Sequence, residues 1–163
     1  MNRILSVITT FVWILVSAIG QAGDTRPNVL FIAVDDLRPE LACYGEAHIH
    51  SPNIDALAAS GRLFRRAYCQ QAVCNPSRTS LMTGMRPDSI GVTGNHSHFR
   101  SNHPDVLTLP QYFKQYGYHA AAIGKIYHGV FPDGASITKW DTMGDPQSWS
   151  VPAVRFGPRY YYT

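Results

Sequence analysis

An α/β layered fold is predicted by an alternation along the chain. Two apolar runs, Asn28–Val34 and His119–Ile123, have the composition of buried strands. Between them lie three segments carrying helix start and stop signals. Strands and helices in alternation argue for helices packed on a sheet.

In order, Pro27 precedes the first run, which is rich in β-branched residues and ends abruptly at Asp35-Asp36. Ser51-Pro52 opens the first helix: serine suits the cap, proline the first turn, and Asp55 lies near the positive end. Ile54, Leu57 and Ala58 are its expected inner face, and Gly61 stops it. Leu63–Tyr68 reads as a short extended segment. A second helix is expected from about Pro76-Ser77 to Gly84, and a third from Thr108 to Gly117. The second strand then leads into Gly124-Lys125 and His128. From Phe131 onward the pattern dissolves into Gly, Pro, Trp and Tyr, as in a long surface loop.

The opening residues form a unit of their own. Asn2-Arg3 gives a short positive region, Ile4–Ala18 an apolar stretch, and small residues follow to Ala22, with cleavage expected after Ala22 or Gly20. Residues 1–22 are therefore read as a signal peptide; an uncleaved anchor is the alternative, disfavoured because the run falls short of the roughly 20 residues a spanning helix needs. The expected location is outside the cytoplasm: periplasmic or secreted, or lysosomal in an animal. The domain that follows spans residues 27–163.

Among 163 residues, 14 Lys and Arg against 11 Asp and Glu give a formal charge of +3 without a long basic run, so no nucleic-acid partner is expected. No stable membrane insertion is expected once the signal is removed. Cys43, Cys69 and Cys74 are an odd number for an oxidising compartment, which raises the question of which one is free or modified. A Cys43–Cys69 disulfide is compatible with the spacing, which does not establish it.

Three places look chemical. Asp35-Asp36, at the C-terminal end of an apolar run, sits where open α/β sheets place ligands, and two adjacent carboxylates repel unless cations offset them. Hard oxygen ligands favour Ca²⁺ or Mg²⁺ over zinc; helix capping or simple solvation is the other reading. Cys74, just ahead of a proline-started helix, feels that helix's positive end, and Arg78 lies one turn on. A structural half-cystine or a buried thiol is the plainer alternative. Lys125 and His128, three apart, can face one side of a turn and offer a fixed cation beside an acid or base. His96, His98, His103 and His119 fit surface or packed positions equally well. Asn95-His-Ser97 has the form of a glycosylation acceptor, meaningful only in a eukaryotic secretory host. Trp140, Trp149 and Tyr160–Tyr162 could line a sugar cleft, although aromatic residues more often pack in cores or loops.

Cys74-Asn-Pro-Ser-Arg78, continued as CNPSRTSLMTG, resembles the C-x-P-S-R signature of the type I, formylglycine-dependent sulfatases. Val34-Asp-Asp-Leu-Arg-Pro39, Ser51-Pro-Asn-Ile-Asp55, Gln70-Gln-Ala-Val-Cys74, Leu109–Lys114, Gly124-Lys125 with His128, and Ser148-Trp-Ser150 extend the likeness from about Pro27 to Pro152. They are most similar to the iduronate-2-sulfatase branch. The resemblance implies an alkaline-phosphatase-like fold, a mixed or parallel sheet flanked by helices, truncated in this sequence. It implies that a maturation enzyme oxidises Cys74 to Cα-formylglycine and that Asp35, Asp36 and residue 74 bind one Ca²⁺. Arg78 would hold the formylglycine hydrate; Lys125 and His128 would contact the sulfate. One hydroxyl of the hydrate attacks sulfur and expels the sugar alcohol, and deprotonation of the other releases sulfate from the covalent ester. Asn75 occupies a variable slot of the signature and should not prevent maturation.

The implied substrate is a sulfated carbohydrate: sulfated uronic acid residues of glycosaminoglycans or related polysaccharides. The family's further metal and substrate ligands come from downstream of Thr163, so the 163-residue chain alone is not expected to turn over sulfate esters. Two alternatives stay open: a phosphatase or phosphonate monoester hydrolase on the same scaffold, or an inactive secreted glycan-binding fragment.

Overall fold

The computed structural model describes residues 26–129 and 144–154. The signal-peptide segment 1–22, Trp140 and Tyr160–Tyr162 lie outside these residues, as does most of the loop expected from Phe131. The chain divides into two units, Met1–Ile32 and Ala33–Thr163. In the first, the described residues form no helix or strand, and Val29, Leu30, Phe31 and Ile32 are exposed.

The second unit is built from helices and irregular segments: α1 (Pro52–Ser60), α2 (Cys74–Thr83), α3 (Pro87–Ile90), α4 (Phe99–Asn102) and α5 (Leu109–Gln115), with 3₁₀ turns at Ala42–Tyr44 and Pro146–Ser148. This corrects the predicted sheet flanked by helices. Among the described residues no strand is formed, and the only ladder contact is an isolated parallel bridge between Ile123 and Val154. A strand exists only as one side of a ladder, and an apolar run cannot supply its own partner. The 28–34 run meets none among the described residues. The 119–123 run receives bonds to alternate carbonyls, from Ser150 N–H to Ala120 O (2.7 Å) and from Val154 N–H to Ala122 O (2.9 Å), without extending into a strand. Leu63–Tyr68 is likewise irregular, with a turn at Arg65-Arg66.

The helices follow their local signals more closely. α1 starts at Pro52 and closes at Gly61, as expected, but buries none of its residues; Ile54 and Leu57 are exposed. Asp55 accepts hydrogen bonds from Ser51 Oγ (3.0 Å) and from the Cys43 N–H (2.9 Å), fastening the 3₁₀ turn to α1. α5 begins after Thr108, whose backbone N–H donates to Gln111 Oε1 (3.1 Å), three residues on. α2 starts two residues earlier than predicted. Pro76 is its third residue, where the missing N–H removes nothing because first-turn donors have no intrahelical acceptor. Gly84 ends α2 at φ +70, a conformation that costs other residues about 1–2 kcal/mol.

Met82, Ile90, Val92, Phe99, Ala122, Tyr127 and Trp149 form the apolar core. Ile90 and Val92 are fully buried, and each contributes on the order of 1.5–3 kcal/mol from transfer out of water. Trp149 meets Tyr127 edge-on with centroids 5.9 Å apart, so it packs in the core and lines no cleft. Cys43, Cys69 and Cys74 are all free thiols, and the Cys43–Cys69 disulfide is not formed.

Beside the apolar core lies a buried polar one. Arg100, on α4, donates to both oxygens of Asp145, from Nε at 2.6 Å and Nη2 at 2.9 Å. Its remaining donors go to Pro104 O, Val106 O and Gln111 Oε1. Ser148 Oγ donates to Asp145 Oδ2 (2.6 Å) and shares hydrogen bonds with the hydroxyls of Thr108 (2.7 Å) and Tyr127 (2.8 Å). A buried ion pair of this kind is tolerable only when nearly every lone pair and proton is used, as here.

Candidate active site

α2 begins with Cys74 and carries Arg78 one turn further along. Arg78 is buried and joins three parts of the chain. Its Nη2 lies 2.8 Å from Asp35 Oδ1, and its Nη1 donates to Ile126 O (3.0 Å) and to Lys125 O. Lys125 Nζ bonds the other oxygen, Asp35 Oδ2. Asp35 is thus shared between two cations, one from a helix and one from the turn that follows Ile123.

That arrangement sets the charge of the site. Partial burial pushes the Asp35 carboxyl up, but the hydrogen bonds and charges of Lys125 and Arg78 outweigh it and hold its pKa at about 2. Asp35 is therefore anionic throughout the physiological range. The His128 pKa is lowered as well, which for an imidazole favours the neutral form: burial lowers it, and the charges of Lys125 and Arg78 lower it further against the opposing pull of Asp35. The imidazole is held neutral, and its buried Nδ1 has no hydrogen-bond partner among the described residues.

Asp36 has φ +52, the only left-handed non-glycine among the described residues; aspartate tolerates this region better than most side chains. The turn gives two successive carboxylates. Among the described residues, no group of three or more His, Cys, Asp and Glu side chains is placed to hold a metal. The donor set nevertheless suits a hard divalent cation: it is oxygen-based, and one carboxylate is permanently charged.

The structure therefore brings Asp35, Arg78 and Lys125 into direct contact and puts His128 within their field. Cys74 shares α2 with Arg78, and Asp36 follows Asp35 in the turn. Local reading missed Asn75. Its buried side chain donates through Nδ2 to Gly94 O (3.0 Å) and Ser97 O (2.7 Å), and its Oδ1 accepts from Thr79 Oγ1 (3.2 Å). Its N–H, one of the unmatched donors at the start of α2, is taken by Asn95 Oδ1 (3.1 Å). The preceding residue, Val73, has no side chain that could cap the helix, which was the one local signal for a partner from elsewhere. His98 is buried, accepting from the Arg100 N–H at Nδ1 and bonding Gly144 O through Nε2; His96 and His119 are exposed.

The profile of the sulfatase family matches residues 27–150. The chain belongs to the sulfatase family. It is 42% identical to iduronate 2-sulfatase of Homo sapiens over 150 residues, covering 91% of this chain and 26% of that protein. It is 36% identical to an ulvan-active sulfatase of Formosa agariphila over 127 residues, 77% of this chain and 24% of that protein. Among solved structures it resembles a phosphonate monoester hydrolase of Agrobacterium radiobacter, with a TM-score of 0.60 and 31% identity over 76% of this chain and 23% of that one. The chain spans about a quarter of the length of these relatives. Among the described residues, no helix is long and apolar enough to cross a membrane.

Proposed function

We propose that the protein is an exported sulfuric ester hydrolase that removes sulfate from sulfated uronic acid residues of glycosaminoglycans or related polysaccharides. One observation carries the reading: the signature residues Cys74 and Arg78 share a helix, and Arg78 grips both Asp35 and the Lys125 turn. Likeness to an iduronate 2-sulfatase and an ulvan-active sulfatase supports sulfated polysaccharide as the substrate class.

In this reading a maturation enzyme converts Cys74 to formylglycine, whose hydrate supplies the nucleophilic hydroxyl. Arg78 orients residue 74 and balances its charge. Lys125 binds a sulfate oxygen and offsets charge as the S–O bond to the sugar breaks. His128, held neutral, is suited to take up the proton released by the attacking hydroxyl of the hydrate and pass it to the departing alcohol. Asp35, Asp36 and residue 74 would hold Ca²⁺, which when bound offers positive charge to the sulfate oxygens.

The test is turnover by the native protein coexpressed with a formylglycine-generating enzyme, offered a 2-O-sulfated uronate disaccharide and a phosphonate monoester. Sulfate release that disappears in Cys74→Ala and on calcium chelation supports the reading. Preferred turnover of the phosphonate ester would establish instead the second reading, which the likeness to the Agrobacterium hydrolase favours.

A further inference from the structure

The segment Thr93–Ser97 is fastened across Cys74 from both sides. Gln71, three residues before the cysteine, donates from Nε2 to Thr93 O at 2.7 Å. Asn75, immediately after it, holds Gly94 O and Ser97 O and has its own N–H capped by Asn95. Four hydrogen bonds thus tie one short turn to the two residues that bracket position 74. The buried Asn75 amide uses both of its donor hydrogens on this turn, so a residue without them cannot make the same latch. Just beyond the turn, His98 is buried and bonded to Gly144, which fixes the far end.

Within this braced turn the His96 side chain is exposed. It is carried on the turn whose backbone carbonyls are held by Gln71 and Asn75, on either side of Cys74. Arg78 and Lys125 both pair with Asp35, and in the reading above their remaining capacity goes to residue 74 and the sulfate. A second acidic group on a substrate, beyond the sulfate, therefore needs a donor from another part of the site wall.

The geometry points to the Thr93–Ser97 turn as a wall of the substrate pocket, latched by Asn75, with His96 as a specificity-determining residue that donates a hydrogen bond to a carboxylate on the leaving sugar. This rests on the sulfatase reading above and adds to it the residue that recognises the acidic sugar. Asn75 acts through the turn and is a positioning residue.

The experiment compares kcat/KM of the native, matured protein for a 2-O-sulfated uronate disaccharide and for 4-nitrophenyl sulfate, which has no carboxylate. Formylglycine content at position 74 is measured by mass spectrometry in each variant. His96→Ala should lower the uronate-to-aryl ratio about tenfold, mainly through KM for the uronate, and His96→Gln, which keeps an N–H donor, should restore part of it. Asn75→Ala should lower the same ratio and speed amide hydrogen exchange in the 93–97 peptide. An unchanged ratio in His96→Ala, with position 74 fully converted, overturns the inference and leaves the sulfatase reading intact. Failure of the wild type to hydrolyse either ester overturns both.

Discussion

Arg78 Nη2 lies 2.8 Å from Asp35 Oδ1, closing a gap of 43 residues in sequence. Arg78 has only about a tenth of its side chain exposed, whereas Asp35 is 42% exposed. The guanidinium depends on the pair more than the carboxylate does, because water can reach Asp35 in place of a partner but scarcely reaches Arg78. Lys125 on the other carboxylate oxygen makes Asp35 the anion that allows two cations to sit together.

Asp35→Asn removes that anion while keeping the side chain's shape. Leaving Arg78 and Lys125 to repel is expected to cost about 1–2 kcal/mol, the lower part of the range for charged hydrogen bonds, because Asp35 is solvent-screened. Urea denaturation of the native protein at neutral pH measures it; an unchanged midpoint would show that the pair is energetically idle.

The same carboxylate sets an acid limit. Its folded pKa of about 2 lies below the ordinary value of 3.8, so the folded state binds the proton less readily than the unfolded chain. The contribution of Asp35 is complete above about pH 4 and is lost as pH falls through about 2. Denaturation midpoints between pH 5 and 2 should fall less steeply in Asp35→Asn than in the wild type; parallel curves would rule this origin out.

Asp145→Asn tests the buried polar core. With Arg100 5% and Asp145 1% exposed, the lost charge leaves a guanidinium unbalanced in a dry environment. A loss of about 3–5 kcal/mol is expected. Thermal unfolding against the wild type checks it, and a loss under about 1 kcal/mol would contradict the network's importance.

Gly144→Ala and Gly84→Ala separate backbone strain from crowding. Both glycines have positive φ, +72 and +70. A Cβ at Gly144 would fall 2.6 Å from Tyr127 Cβ and 3.0 Å from His128 O, whereas one at Gly84 meets nothing within 4 Å. Gly84→Ala should cost about 1 kcal/mol, and Gly144→Ala several times that, with displacement of the Tyr127–His128 turn. Equal losses in denaturant would show that the turn yields without resistance.

Maturation is read directly at the peptide Ala67–Arg78. After coexpression with a formylglycine-generating enzyme, mass spectrometry should find an aldehyde in place of the Cys74 thiol, and Arg78→Ala should retain the thiol. An unmodified thiol in the wild type would remove the basis for the proposed nucleophile.

Pro52, Gly61, Thr108 and Gly84 mark helix boundaries because capping and steric rules act within a few residues of the chain. α2 opens two residues before Pro76 because proline is tolerated throughout the first turn, so its position alone does not fix the helix start. The expected strands do not form because an apolar run states that a segment avoids water and not which segment will pair with it. Val29 and Ile32 are exposed here, and the second run meets the 150–154 segment at a single bridge.

The sequence by itself determined the family, through the signature from Cys74 to Arg78 and the blocks around it, and it singled out Asp35, Lys125 and His128 as candidates. Only the tertiary structure decided that Asp35 lies between Arg78 and Lys125, that His128 is held neutral, and that Asn75 latches the 93–97 turn beside Cys74. The reason is physical: residue chemistry and capping are properties of short stretches. Charge pairing, desolvation and the satisfaction of a helix's unmatched donors depend on which distant groups arrive within about 3 Å.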